Sequence, residues 1–153
     1  MKLSILWVGK SREAWIKEAI LDYSSRIRRY CSFDMIEVRE EKGAEAEESR
    51  RRECERIKGR LPSGTTLILL DEHGEQMTSV ELASFIGKQR DNGAGNMVFA
   101  IGGAYGFSEE FRRGTKQLSL SKMTFTHQMV RVFTLEQIYR AFTILNNEQY
   151  HHQ

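Results

Sequence analysis

The sequence predicts a single α/β domain, residues 1–153, with a parallel sheet sandwiched between helices on both faces. Three observations carry this. Short continuous apolar runs, Leu3–Val8, Thr66–Leu70 and Met97–Ile101, read as strands buried on both sides, since a half-exposed strand would alternate. Stretches with helical patterning separate them, the order that sets parallel strands beside crossover helices. The chain has one proline, no internal repeat and no low-complexity linker, so nothing marks a second domain.

Leu3–Val8 is closed by Gly9, and Ser11 is a candidate N-cap for a helix marked by Trp15, Ala19, Leu21 or Asp22, and Tyr23. That helix ends in Arg26, Arg28 and Arg29, cations that complement a helix C-terminus; phosphate contact is the alternative use. Phe33, Met35, Ile36 and Val38 predict a second strand. Glu40–Arg60 is dense in charge of both signs and reads as a solvated helix laced by pairs such as Glu47–Arg51 and Glu48–Arg52. Pro62 and Gly64 turn the chain into Thr66–Leu70, a strand ending at Asp71-Glu72-His73-Gly74. Thr78 or Ser79 caps a helix carrying Val80, Leu82, Ala83, Phe85 and Ile86, and Asn92, Gly93 and Gly95 break it before Met97–Ile101. Leu118–Thr126 reads as a small-residue loop leading to a helix over Met129–Asn146. On that helix Leu135, Ile138, Phe142 and Leu145 share a face, with Glu136, Arg140, Thr143 and Asn147 opposite. Met129, Val130, Val132, Phe133 and Ile144 widen the apolar arc, so a second copy of the chain is expected to cover its other side.

A composition of 40% hydrophobic and 29% charged residues with net charge +2 permits a polyanionic partner without requiring one. Cys31 and Cys54 lack Cys-x-x-Cys or histidine spacing; they read as reduced thiols, and no metal is expected. No run approaches the roughly 18 apolar residues of a membrane span, and no targeting segment is visible. The chain therefore reads as soluble and cytoplasmic, without a membrane partner.

Gly102-Gly103-Ala104-Tyr105-Gly106 follows the Met97–Ile101 strand and precedes a helix starting near Ser108. Ligands of open α/β sheets sit there, outside the carboxyl ends of strands. The spacing is not that of a dinucleotide fingerprint. Glu109 and Glu110 already complement the positive helix end, which disfavours a phosphate and suits a cationic, phosphate-free ligand. A tight turn with no ligand is the plainer alternative.

The run LSKMTFTHQMVRVFTLEQIYRAF with its YHH tail, the turn IGGAYGFS and the opening MKLSILWVGK together span essentially the whole chain and resemble the RlmH family, SPOUT-class methyltransferases of large-subunit ribosomal RNA. The resemblance implies S-adenosylmethionine held by backbone of three loops: Leu70; Gly102 and Gly103; and Leu120, Ser121, Lys122, Met123, Thr124 and Phe125. It implies a C-terminal trefoil knot, which base rates of chain topology disfavour. It also implies methylation of the N3 of a pseudouridine by a homodimer, with the tail closing the partner subunit's active site.

Arg140 is the candidate to steady negative charge on the acceptor ring, because it keeps its own charge, and Glu136 one turn earlier is placed to orient it. An idle i,i+4 salt bridge is the other reading of that pair. His127, beside the cofactor loop, is a candidate base or simply a cap. Tyr150 offers a stacking surface, with His151 and His152 beside it. The family usually has proline where Thr126 and often where Gln149 stand here, which bears on the placing of His127 and of the tail. A non-enzymatic RNA-binding module using Arg28, Arg29, Arg112, Arg113 and Arg131, and a flavodoxin-like nucleotide binder, are the competing readings.

Overall fold

A computed structural model describes residues 1–152; Gln153, the end of the tail, lies outside them. In chain order the elements are β1 (Lys2–Val8), α1 (Ala14–Ile27), β2 (Ser32–Val38), α2 (Ala46–Lys58), β3 (Thr65–Gln76), α3 (Ser79–Asp91), β4 (Asn96–Ile101), α4 (Glu109–Arg112), β5 (Lys116–Ser119) and α5 (His127–Leu145). The sheet runs β2-β1-β4-β3-β5, with every pairing parallel. Strands buried on both faces supply two cores, because alternate side chains point to opposite sides. Leu3, Ile5, Phe99 and Ile101 meet Ile16, Ile20 and Ile27 of α1, Leu82 and Ile86 of α3, and Leu135, Ile138 and Phe142 of α5. Leu6, Val8, Val98 and Ala100 face the other way, onto Cys54 and Ile57 of α2 and Phe107 and Phe111 around α4. Among the described residues no helix is long and apolar enough to cross a membrane.

Local chemistry accounts for most boundaries and corrects several expectations. Thr78 caps α3 with a full capping box, its side chain accepting from Glu81 N–H and the Glu81 carboxylate accepting from Thr78 N–H. Ser11 is not the cap of α1: Glu13 holds that position without a side-chain bond, and the Ser11 hydroxyl accepts from Arg131 instead. The buried face of α1 is Ile16, Ile20, Ser24 and Ile27, leaving Trp15 55% and Leu21 62% exposed. The charged segment becomes helical only from Ala46. Glu48–Arg52 forms as expected, whereas Arg51 pairs with Glu48 and Glu55 rather than Glu47. Thr143 is fully buried, its hydroxyl donating to the Arg140 carbonyl, so the polar face of α5 is narrower than its sequence pattern.

The expected loop Leu118–Thr126 begins inside β5, a four-residue edge strand too short to show periodicity. β3 continues past Leu70 to Gln76, and its register against β5 breaks between Leu70 and Glu75. At that break Gly74 passes so close to β5 that a Cβ would lie 2.6 Å from the Gln117 carbonyl carbon and 2.7 Å from Leu118 N. Both are backbone atoms and cannot rotate aside. Gly74→Ala is therefore expected to lower stability by about 1–3 kcal/mol, read as a lower urea midpoint at unchanged slope. An unshifted midpoint would contradict the contact.

Candidate active site

The irregular stretch of β3 after Leu70, the turn that follows β4 and the end of β5 with its loop open into a cleft of about 410 Å³. Leu70 ends one wall, Tyr105, Gly106 and Phe107 form a second, and Leu118–Ser121 with Met123, Thr124 and Phe125 form the third. Three loops distant in sequence thus share one opening. Of the residues expected to hold a cofactor, Leu70, Leu120, Ser121, Met123, Thr124 and Phe125 line it. Gly102 and Gly103 stand behind the lining, at the root of the turn, and Lys122 is exposed without lining it. Gly102 is buried, and a Cβ there would come within 3.1 Å of the Gly106 backbone, so glycine keeps the turn closed.

The third wall is shaped by its own short side chains. Ser119 Oγ donates to the Ser121 carbonyl at 2.9 Å, and Ser121 Oγ accepts from Met123 N–H at 3.0 Å. Thr126 then caps α5, its hydroxyl accepting from Met129 N–H at 3.3 Å. Threonine at this position supplies a cap that proline could not, and His127 becomes the first residue of the helix. Charge in the cleft is mixed. Asp71, held 3.6 Å from Arg112, accepts from His73 N–H at 2.9 Å, and Glu72 and Arg50 also reach the opening. Arg50 comes from α2, a contribution hidden in the sequence because the segment reads as a solvated face.

A second cluster forms on α5. Glu136 Oε1 accepts from Arg140 Nη2 at 2.5 Å and Nε at 3.1 Å, and from the Tyr150 hydroxyl at 3.1 Å. The Arg140 guanidinium lies 4.8 Å from the Tyr150 ring centroid, and its Nη1 is 3.3 Å from His151 Nδ1. The hydrogen bond to Glu136 raises the Arg140 pKa further. Burial pushes the Tyr150 phenol up, so it stays protonated and serves as a donor. Glu136, Arg140, Tyr150 and His151 are therefore brought together, whereas His152 is exposed beyond them. His127 is nine residues before Glu136 on the helix, roughly 13 Å along its axis. It keeps an exposed edge, while partial desolvation and then Arg131 and Arg12 hold its pKa below the usual imidazole range.

Arg131 is no phosphate contact. It is 1% exposed, donates to the Val8 carbonyl at 2.8 Å and to Ser11 Oγ at 2.9 Å, and stacks 5.1 Å from the Trp7 ring. It ties α5 to the end of β1. None of Glu136, Arg140, Tyr150 or His151 lines the 410 Å³ cleft, so one chain carries the two halves of the expected site at separate places. On the third wall Met123 is 73% exposed, and the exposed Phe125 ring meets that of Phe133, outside the cleft, at 5.2 Å.

Comparison with known proteins bears directly on this geometry. The family model described as "Predicted SPOUT methyltransferase" matches residues 1–151. A ribosomal RNA large subunit methyltransferase H of Pelobacter propionicus is 66% identical over 152 residues, covering 99% of this chain and all of that one. The protein of the same name from Geobacter sp. strain M21 is 59% identical over 154 residues, with both chains fully covered. Among solved structures, a probable methylase family protein from Haemophilus influenzae Rd KW20 shares the fold at TM-score 0.54 and 13% identity, over 99% of this chain and 70% of that one. A full-length family match, relatives this similar, and a parallel sheet whose strand ends frame one cleft lead to one assignment: the chain belongs to the SPOUT methyltransferase family, among the ribosomal RNA large subunit methyltransferase H proteins.

Proposed function

We propose that this methyltransferase is a homodimer that uses S-adenosylmethionine to methylate the N3 of a pseudouridine in large-subunit ribosomal RNA, in the cytoplasm. The observation that carries the reading is the convergence of Leu70, the glycine turn and Leu120–Phe125 on one cleft. The cleft fits the cofactor: its volume is that of a small-molecule site, and at its root a Cβ on Gly102 would crowd the Gly106 backbone at 3.1 Å. Asp71 and Glu72 balance Arg112 and Arg50 at the opening, so the cleft is not biased toward a phosphate. When bound, the cofactor supplies an activated methyl group. The trefoil threading belongs to the same reading and rests on the family alone.

The protein's own task is to place the acceptor and manage its proton. An imide N–H whose pKa lies about two units above ambient pH costs about 2.7 kcal/mol to ionise. Arg140, fixed by Glu136, offers the developing anion a charge that stays on the guanidinium. Tyr150, its hydroxyl pinned to Glu136 and its ring held against Arg140 and Tyr139, offers its remaining exposed ring surface to the acceptor base. Because this cluster lies away from its own chain's cleft, the acceptor half of each site comes from the partner subunit. The exposed Met123, Phe125 and Phe133 beside the cleft are suited to be covered by that subunit.

Calorimetry with S-adenosylmethionine is the direct test, paired with mass mapping of methyl-pseudouridine in ribosomal RNA from cells with and without the gene. Saturable heat and loss of the methyl mark on deletion are expected. No heat, as a non-enzymatic RNA-binding module would give, overturns the cofactor assignment.

A further inference from the structure

Helix α2 was expected to be a solvated face, yet its Glu53 is only 4% exposed. Glu53 Oε2 accepts from Glu41 N–H at 2.9 Å, while Oε1 is buried with no hydrogen-bond partner. The neighbouring Arg52 and Arg56 are engaged with Glu41 rather than with Glu53. A carboxyl taken from water without an ion pair is costly, and desolvation accordingly holds its pKa above the usual range. Its free oxygen faces the glycine turn: a Cβ built on Gly103 would lie 2.7 Å from Oε1 and 3.1 Å from Oε2. No other group comes nearer to that point. Gly103 is also outside the left-handed region, unlike Gly106, so its backbone would accept any residue and only the space excludes one. Within the turn Gly106 N–H donates to Gly103 O at 3.0 Å, and beyond it Ser108 N–H donates to Cys54 Sγ, the next residue of α2.

We infer that Glu53 is a positioning residue for the Gly102–Gly106 turn, and that its carboxylate, not a bound ligand, is what requires glycine at 103. This deepens, and rests on, the reading of that turn as a wall of the cofactor cleft. Clamped between the Glu41 N–H and Gly103, the side chain joins the β2–α2 loop to the turn. It sets where Tyr105 and Gly106 stand at the cleft, while Arg50, one helical turn away, reaches the opening itself.

The test is a double-mutant cycle on the full chain, with two readouts. In the free protein, amide hydrogen exchange is followed at residues 102–107; with cofactor, S-adenosylmethionine affinity is measured by calorimetry. Glu53→Ala is expected to speed exchange in the turn, as well as at Glu41, whose N–H loses its acceptor, and to weaken binding about tenfold, with Glu53→Gln restoring most of these effects. Gly103→Ala should weaken binding about tenfold in the parent but less than about twofold further in Glu53→Ala, where the obstructing carboxylate is gone. If Glu53→Ala does not fold, Glu53→Asp replaces it, since one fewer methylene withdraws the carboxylate from Gly103. Unchanged exchange in the turn, or equal losses from Gly103→Ala in both backgrounds, overturns the inference. A parent protein that gives no heat sinks the cofactor reading instead, and exchange alone then decides whether Glu53 positions the turn.

Discussion

Arg140→Ala is expected to slow methyl transfer about 10²–10³-fold while leaving the heat of S-adenosylmethionine binding unchanged, the loss typical of removing one preorganised charge from a transition state. The separation of effects follows from the geometry, since Arg140 does not line the cleft. Its removal also frees Glu136, which would face the acceptor with an unbalanced carboxylate, so the loss should exceed that of a simple cavity. Arg140→Lys keeps the charge but not the fork that binds Glu136 through two nitrogens, and is expected to recover only part of the rate. Single-turnover kinetics at saturating cofactor separates these outcomes. An Arg140→Ala protein with wild-type kcat leaves the Glu136–Arg140 pair as a helix salt bridge, worth about 0.3–0.5 kcal/mol and no more.

The second large effect is complementation between inactive subunits. Arg140 and the tail touch within one chain, so under the proposed reading they form one half-site and the cleft the other. A chain with Gly102→Val has a damaged cleft and an intact cluster; a chain with Arg140→Ala has the reverse. In a two-fold dimer that shares its sites, their heterodimer contains one pocket with both defects and one with neither. Statistical remixing is then expected to restore about a quarter of wild-type activity from two dead proteins. Pairing Arg140→Ala with deletion of residues 150–153 should restore nothing, because both lesions strike the same half-site. Deleting the tail should itself abolish methylation and spare cofactor binding, at a stability cost of up to about 1.5 kcal/mol from the edge contact of Tyr150 on Tyr139 at 4.7 Å. Verified heterodimers of the first pair that remain inactive would rule out a site shared between subunits.

The fold was legible where one physical signal dominated. Continuous apolar runs located β1, β3 and β4, and the Thr78-Ser79 pair ahead of Val80 and Leu82 located the start of α3, with the structure choosing Thr78 as the cap. What escaped depended on partners distant in sequence. β5 is four residues at an edge, defined only by its pairing with β3. Arg131 looks like a surface cation until β1 supplies the Val8 carbonyl, the Ser11 hydroxyl and the Trp7 ring that let it be buried. The contributions of α2 were masked because Arg50 and Glu53 sit among salt-bridged neighbours of the same types. At the site, residue identities on the loops and on α5 could be named from resemblance. That the two groups lie apart within one chain is a property of packing that no motif spacing encodes.

The insertion of α5 between α1 and α3 also sets the order in which this protein can be made. Leu135, Ile138, Ala141 and Phe142 complete the core over Ile16, Ile20 and Ile27, contacts that span more than a hundred residues of chain. Until that last helix emerges, a nascent chain carries β1, β3 and β4 with one apolar face covered only in part, by α1 and α3. At about 5–20 residues per second of synthesis, that face waits several seconds for its cover. Closure of such long loops is also intrinsically slow once the helix arrives. Premature termination before Leu135 should therefore yield an aggregating product rather than a smaller folded one, and the cell's exposure to it scales with the speed of the final codons.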